Sequence, residues 1–379
     1  MAAIAPKSYT FGIMHVRQKM RYLFFVICFG ALLTQASAQD SVVKAISPFQ
    51  FEAYLEAYLS YDFAKPDNHE RPPFLYNHTR AGEANINLAY LRGSYTRERV
   101  RMNLALAAGT YMNANYAAEP ATLKFLLEAN AGIKLARNRK LWLDIGVLPS
   151  HLGFESAASL DCWTPGRSLV AENSPYFETG LRLGYETDNR RWILNLLALN
   201  GWQTITKVDG NSLVSWGAQA QYKPGKAWLI NYSNFIGTVY PDSARRIRHY
   251  HNLYARYQAG RWGLIGGFDI GAEEKTVDGD GWNTWFTPVV ILQYRPSDHW
   301  AFAARGEYFS DPANIVIIQQ GTGDFNATGL SLNADFMPIS NAALRLEYRW
   351  LHNPDPVFLS DGKQVSDNHN ILLSLALRL

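Results

Sequence analysis

The chain has 379 residues, of which 47% are hydrophobic and 13% aromatic, while only 18% are charged. That balance excludes a disordered chain, which is poor in aromatics and rich in charge, and its charge fraction lies below that of ordinary soluble domains. The formal net charge of +3 comes from the N-terminal residues, so it carries no implication of a nucleic-acid partner.

The N-terminal apolar run, Leu23 to Leu33, has eleven residues, too few to cross a bilayer as a helix. Lys19 and Arg21 precede it, Thr34 and Gln35 follow, and Ala36-Ser37-Ala38 supplies a small-x-small cleavage pattern. Residues 1–38 are therefore read as a secretory signal peptide, with Met20 as a second candidate start. Its removal takes away Lys7, Arg17, Lys19 and Arg21 and no acid, leaving 32 basic and 33 acidic side chains. Cys28 follows Ile27 rather than the small residue a lipoprotein site needs, and Cys162 then stands alone, so no intramolecular disulfide is available. Residues 39–48 are expected to be a short periplasmic segment ahead of one domain, 49–379.

From residue 49 the hydropathy alternates. Phe49, Phe51, Ala53, Leu55, Ala57, Leu59, Tyr61 and Phe63 share one parity, and Gln50, Glu52, Glu56, Ser60 and Asp62 the other. In a strand those parities lie on opposite faces. The pattern returns at Val100, Met102, Leu104 and Leu106 against Arg99, Arg101 and Asn103, and at Leu181, Leu183 and Tyr185 against Arg182 and Glu186. It returns again at Leu344, Leu346, Tyr348 and Trp350 against Arg345, Glu347 and Arg349, and at Ile371 to Leu379 against Asn370, Ser374 and Arg378. Residues 121–136 are rich in helix formers and also fit a helical period. Their own alternation (Leu123, Phe125, Leu127, Ala129, Ala131, Ile133, Leu135) and their neighbours favour a strand.

Seven short polar breaks, mostly entered from Tyr or Leu and left at Trp or an aliphatic residue, punctuate the strands; Tyr185-Glu186-Thr187-Asp188-Asn189-Arg190-Arg191-Trp192 is one. Amphipathic rings at tight turns suit one rim of a membrane barrel. Eight longer polar or Gly/Pro-rich segments lie between them, near 64–82, 113–122, 150–176, 201–212, 239–248, 273–283, 310–327 and 352–368. Seven turns and eight loops make about sixteen strands, tolerance two, of the roughly 9–11 residues a tilted span needs. The expected fold is an all-β transmembrane antiparallel up-and-down barrel with short periplasmic turns and longer extracellular loops. A large soluble sandwich would alternate as cleanly. The leader, the asymmetry of turns and loops, and the Trp/Tyr bracketing weigh against it.

The blocks Pro149-Ser150-His151-Leu152-Gly153-Phe154-Glu155, Ala171-Glu172-Asn173-Ser174-Pro175-Tyr176-Phe177-Glu178-Thr179-Gly180 and Leu199-Asn200-Gly201-Trp202-Gln203 resemble the outer-membrane β-barrel porin-2, or OmpL-like, family. The resemblance implies a Gram-negative outer-membrane barrel with channel activity and carries over no catalytic or binding residue. The terminal Leu379 departs from the aromatic residue that ends many such barrels and weakens that assembly signal.

The function expected is passive diffusion of small hydrophilic solutes through a water-filled lumen, since sixteen strands leave room for one. The alternative is a non-conducting barrel serving as a structural or adhesion scaffold. Loop 150–176 is the longest and is expected to enter the lumen. Its Glu155, Asp161, Arg167 and Glu172 would then face wall residues drawn from Arg99, Arg101, Lys124, Arg182, Arg345 and Glu347, making the pore polar throughout. The partners implied are outer-membrane lipid, small hydrophilic solutes and, as an open option, further copies in a homo-oligomer; no nucleic acid, cofactor, metal or catalytic residue is implied. Ser150-His151 lies near Glu155 and Asp161, but adjacency in sequence is no triad. Asp278-Gly279-Asp280-Gly281 reads as a hairpin tip, because Val289 stands where an EF-hand loop needs its twelfth-position acid. His249/His251 and His352/His369 read as rim residues, Gly321-Thr322-Gly323 is not followed by the crossover helix a nucleotide site needs, and Cys162 reads as a small residue packed in a folded loop.

Overall fold

A computed structural model describes residues 47–277, 279–317 and 323–379. The leader expected at 1–38, most of segment 39–48, Asp278, Gly321 and Thr322 lie outside the described residues.

Among the described residues, sixteen antiparallel strands form one closed barrel. They begin with β1 (Phe49–Asp62), β2 (Ala84–Arg97), β3 (Val100–Ala108), β4 (Leu126–Lys134), β5 (Lys140–Pro149), β6 (Phe177–Glu186), β7 (Trp192–Leu199) and β8 (Ser215–Tyr222). They continue with β9 (Trp228–Gly237), β10 (Arg248–Ala259), β11 (Trp262–Glu274), β12 (Trp282–Tyr294), β13 (Trp300–Asp311), β14 (Phe325–Ile339) and β15 (Ala342–His352). A small ribbon of β16 (Phe358–Ser360) and β17 (Lys363–Val365) sits in the last long loop, before the final barrel strand β18 (Asp367–Arg378). Closure is required, because lipid offers no partner for an open edge. Here β1 meets β18 from Tyr54↔Arg378 to Asp62↔Asn370, and Ala53 and Leu379 exchange backbone hydrogen bonds of 3.2 and 2.9 Å. Leu379 thus takes part in the seam. The segment open to a helical reading is β4 from Leu126, with Ala131 and Ile133 exposed and Glu128 and Asn130 buried.

Alternation sorts the side chains as expected. Leu104, Leu183, Leu346 and Leu375 lie exposed on the outer face, while Arg101, Arg182, Glu347 and Ser374 occupy the opposite parity. At the short-turn rim, Trp192 stacks on Tyr222 at 4.4 Å, and Trp262 lies 4.5 Å from Tyr294. Each pair joins two neighbouring strands at the ends remote from the long loop that connects them, so the rings sit between successive tight turns and mark the amphipathic girdle. Leu346→Arg, at mid-strand and 49% exposed, is expected to cost about 2–4 kcal/mol of folding stability in lipid. Asn195→Arg, on the half-buried inner face of β7, is expected to cost much less. Equal denaturation midpoints for the two variants in lipid vesicles would overturn the assigned facing. Ser374 is unsuitable as the inward control, because it is only 1% exposed and an arginine there has no room.

Candidate functional site

Loop 150–176 leaves β5, crosses the barrel interior and returns to β6. Its first turn is fixed by His151, whose Nδ1 lies 2.7 Å from Glu178 and whose Nε2 lies 2.7 Å from the Asn234 carbonyl oxygen. The Gln219 amide donates to the His151 carbonyl at 2.7 Å. Ser150 Oγ accepts from the Leu152 N–H at 3.1 Å. Both ring nitrogens of His151 are therefore committed to the wall, and the Ser-His pair is an anchor rather than a nucleophile and its base.

The middle of the loop reaches the opposite wall. Ser159 N–H donates to the Tyr54 hydroxyl on β1 at 2.9 Å, and Asp161 pairs with Arg378 on β18 at 2.7 Å. Arg345 on β15 pairs with Asp335 on β14 at 2.8 Å and donates to the carbonyls of Ser159 and Cys162. Beyond this, Arg305 on β13 donates to Thr164 Oγ1 at 2.8 Å, to the Gly166 carbonyl at 2.6 Å and to Glu347 at 3.0 Å. Glu347 also accepts from Gly166 N–H, Glu307 accepts from Leu169 N–H, and both bonds measure 2.6 Å. Arg349 completes the group with a 2.7 Å bond to Glu307. Two arginines and two glutamates from two strands, β13 and β15, thus hold residues 164–169. Charge-assisted bonds to backbone groups fix position more tightly than neutral ones.

The residues singled out in the loop are placed differently from expectation. Glu155 accepts from Ser168 N–H at 3.1 Å and from its hydroxyl, both in the same loop. Arg167 is fully buried and donates to the carbonyls of Ser156 at 2.6 Å, Ala157 at 2.8 Å and Pro165. Glu172 closes the one-turn helix Leu169–Glu172 and accepts from Tyr76 N–H at 2.7 Å and Asn77 N–H at 3.1 Å. Burial pushes its carboxyl up to about 7, against those donors. Only Asp161 meets a wall arginine, and that arginine is Arg378.

Two wall assignments are corrected. Arg99 is exposed in the β2–β3 turn and donates to the Lys134 carbonyl at 2.9 Å. The turn reverses at Glu98, whose φ is 48°, so Arg99 falls outside the ladder. Lys124 lies in the β3–β4 connection and donates to the Ala117 carbonyl at 2.8 Å. The alternation read over 121–125 belongs to that turn, because pairing begins at Leu126. Arg101 and Arg182 do face inward. They share the buried Asp144, at 2.6 and 3.2 Å, rather than a loop acid.

The interior is also not polar throughout. Ile265, Val289, Ile291 and Ala303 point inward and pack with Val170, Phe154 and Trp163 of the loop. The sequence signal was the run Pro288-Val289-Val290-Ile291-Leu292 in β12. It is apolar on both parities, as strands covered on both faces are. A second signal was glycine at inward positions of β8 and β11. A Cβ at Gly217 would lie 2.6 Å from His151 Nε2, and one at Gly263 only 2.5 Å from the Trp163 ring. Gly263→Val is accordingly expected to push the Trp163 segment off the wall and increase protease nicking between 155 and 171 in the folded barrel. An unchanged nicking rate would separate this seat from the loop's position.

The remaining candidates are structural. Cys162 Sγ accepts from Ser156 N–H, and burial raises its thiol to about 11, far from a reactive thiolate. His251 and His369 lie against the hydroxyls of Tyr232 and Tyr348, each at 2.8 Å. Among the described residues no group of three metal-ligating side chains converges.

Residues 48–379 match a family described as "Putative beta-barrel porin-2, OmpL-like". The fold is similar to that of an anion-selective porin from Comamonas acidovorans, with TM-score 0.58, 12% identity, and coverage of 87% of this chain and 99% of that one. It is similar as well to OprB of Pseudomonas putida, with TM-score 0.56, 9% identity and coverage of 88% and 94%. OmpT of Vibrio cholerae gives TM-score 0.55, 12% identity and coverage of 87% and 97%. No curated protein matches the chain. At such identities the solved structures speak for the fold alone.

Proposed function

Because the chain belongs to the beta-barrel porin-2, OmpL-like family of outer-membrane barrels, we propose that it is a channel for passive diffusion of small hydrophilic solutes, with loop 150–176 setting its narrowest point. One observation carries this reading, the uneven exposure of the lumen wall. Arg92, Arg101, Arg182 and Arg378, on β2, β3, β6 and β18, keep 25–29% of their side-chain surface exposed. On β13 and β15, Arg305 and Arg345 keep 0 and 2%. The loop packs against the β12–β15 wall and leaves the arginines of β2, β3 and β6 partly wet, which supports an off-centre polar passage.

The exposed arginines have acids beside them: Glu52 at 3.2 Å from Arg92, Asp144 between Arg101 and Arg182, and Asp161 on Arg378. Mixed charge at close range leaves little net field, so weak ion selectivity is proposed. No catalytic role is proposed, since His151 and Ser150 are spent as anchors. The second reading, a sealed scaffold, draws on the apolar packing of the loop against β11–β13. Planar-bilayer recording of the refolded protein tests the two. Discrete conductance steps support the channel; a folded, inserted barrel that stays silent would overturn it in favour of the scaffold.

A further inference from the structure

A cavity of about 560 Å³ opens on the long-loop side, between loop 63–83 and the β16–β17 ribbon. Its walls are stiff. Pro66, Pro72 and Pro73 restrict the first loop, Arg71 N–H bonds to the Thr79 carbonyl at 2.9 Å, and Phe74 is locked against Phe325 and Phe358. The cavity lies outside the loop 150–176 site.

Arg71 lines this cavity and is only 8% exposed. Its Nη1 donates to the His78 carbonyl at 3.3 Å, and among the described residues its Nε has no hydrogen-bond partner and no carboxylate lies within ion-pair distance of it. The nearby Asp62 is already satisfied by Ala64 N–H at 2.9 Å and by the Asn368 amide at 3.0 and 3.1 Å. Asp62, Glu172 and Glu347 act on Arg71 only from beyond ion-pair distance. A buried guanidinium without a direct partner is costly to keep, and its planar fork suits a carboxylate. The rest of the lining is not anion-friendly. Asp67, Glu70 and Asp361 stand exposed at the rim with Lys65 as the only other cation, while Pro72, Phe74, Val357 and Phe358 supply apolar surface. A simple anion would be repelled on approach, whereas a molecule with both charges and an apolar body meets complementary groups at each point.

We propose that this cavity binds short zwitterionic peptides with apolar side chains, their C-terminal carboxylate on Arg71 and their ammonium toward the acidic rim. The inference deepens the diffusion role by naming a solute class, and rests on it only for what happens to the peptide afterwards. Calorimetric titration of the detergent-refolded full barrel with leucyl-leucine tests it, beside leucyl-leucine amide and N-acetyl-leucyl-leucine. Saturable binding of the free dipeptide is expected. Loss of the carboxylate should weaken it on the order of tenfold or more, and loss of the ammonium should also weaken it. Arg71→Met should bind the dipeptide as weakly as wild type binds the amide, and should no longer distinguish the two. Since that change removes a buried charge that makes no ion pair among the described residues, its unliganded thermal midpoint is expected to match or exceed the wild type. No saturable heat with the wild type, tighter binding of the acetylated form, or undiminished discrimination by Arg71→Met would each overturn the proposal. Calorimetry does not read conduction, so a sealed lumen would overturn the channel and leave this site standing.

Discussion

Replacing residues 155–171 with a short Gly/Ser linker is expected to raise single-channel conductance clearly while leaving the barrel intact. The barrel does not depend on the segment for closure, since β1 and β18 pair over Tyr54–Asp62 without it. What the segment does supply is matter inside the lumen: Trp163 and Leu169 fill space against the wall, and the buried Arg167 braces the loop through its own carbonyls. Without it, Arg305, Glu307, Arg345, Glu347 and Arg349 would face water, which hydrates them at little cost, and the passage would approach the open bore of a sixteen-stranded barrel. The check is planar-bilayer conductance, with heat-modifiable gel mobility confirming the folded barrel. Unchanged conductance in a folded variant would remove the loop as the narrowest point.

Glu347→Ala is expected to be the most damaging single change in the wall, at about 3–5 kcal/mol, the usual cost of removing one partner from a buried ion pair. Glu347 is 1% exposed and serves two groups at once, the Arg305 guanidinium at 3.0 Å and Gly166 N–H at 2.6 Å. Its loss leaves two buried arginines, Arg305 at 3.3 Å and Arg349 at 2.7 Å, to share Glu307 and strands the Gly166 amide donor. Arg305→Met combined with Glu347→Leu should be less destabilising than Glu347→Ala alone, because no unpaired charge then remains. Urea unfolding in lipid vesicles measures all three proteins. If the double variant is the worst of them, the charges are net stabilisers rather than mutually dependent partners.

Much of the barrel was legible because a two-residue period maps directly onto two faces. The parity read at Leu104, Leu183, Leu346 and Leu375 is the lipid face, and the Trp/Tyr brackets mark one rim. The short turns and long loops gave the strand number because each turn carries its own local chemistry, such as Gly260 at φ 57° between β10 and β11. The site was less legible. Arg99 and Lys124 carried the right charge and, by extrapolated parity, the right face. Strand ends are set by pairing with a neighbour, however, and no neighbour is visible in a linear pattern.

The sequence by itself determined that this chain is a sixteen-stranded barrel with an apolar exterior, since that outcome depends on alternation and turns, which are local. Only the tertiary structure decided what the long third loop touches. Its acids were expected to seek wall arginines. Instead the wall charges of β13–β15 bind the loop's backbone, and only Asp161 finds an arginine, Arg378. The contacts from Gly166 to Glu347 and from Leu169 to Glu307 span 181 and 138 residues. Pairings of that reach depend on how the closed wall brings distant strands to one side of the lumen. Likewise Arg71 is an unremarked loop cation in the sequence. It becomes a buried charge beside a cavity only when the β16–β17 ribbon folds against its loop.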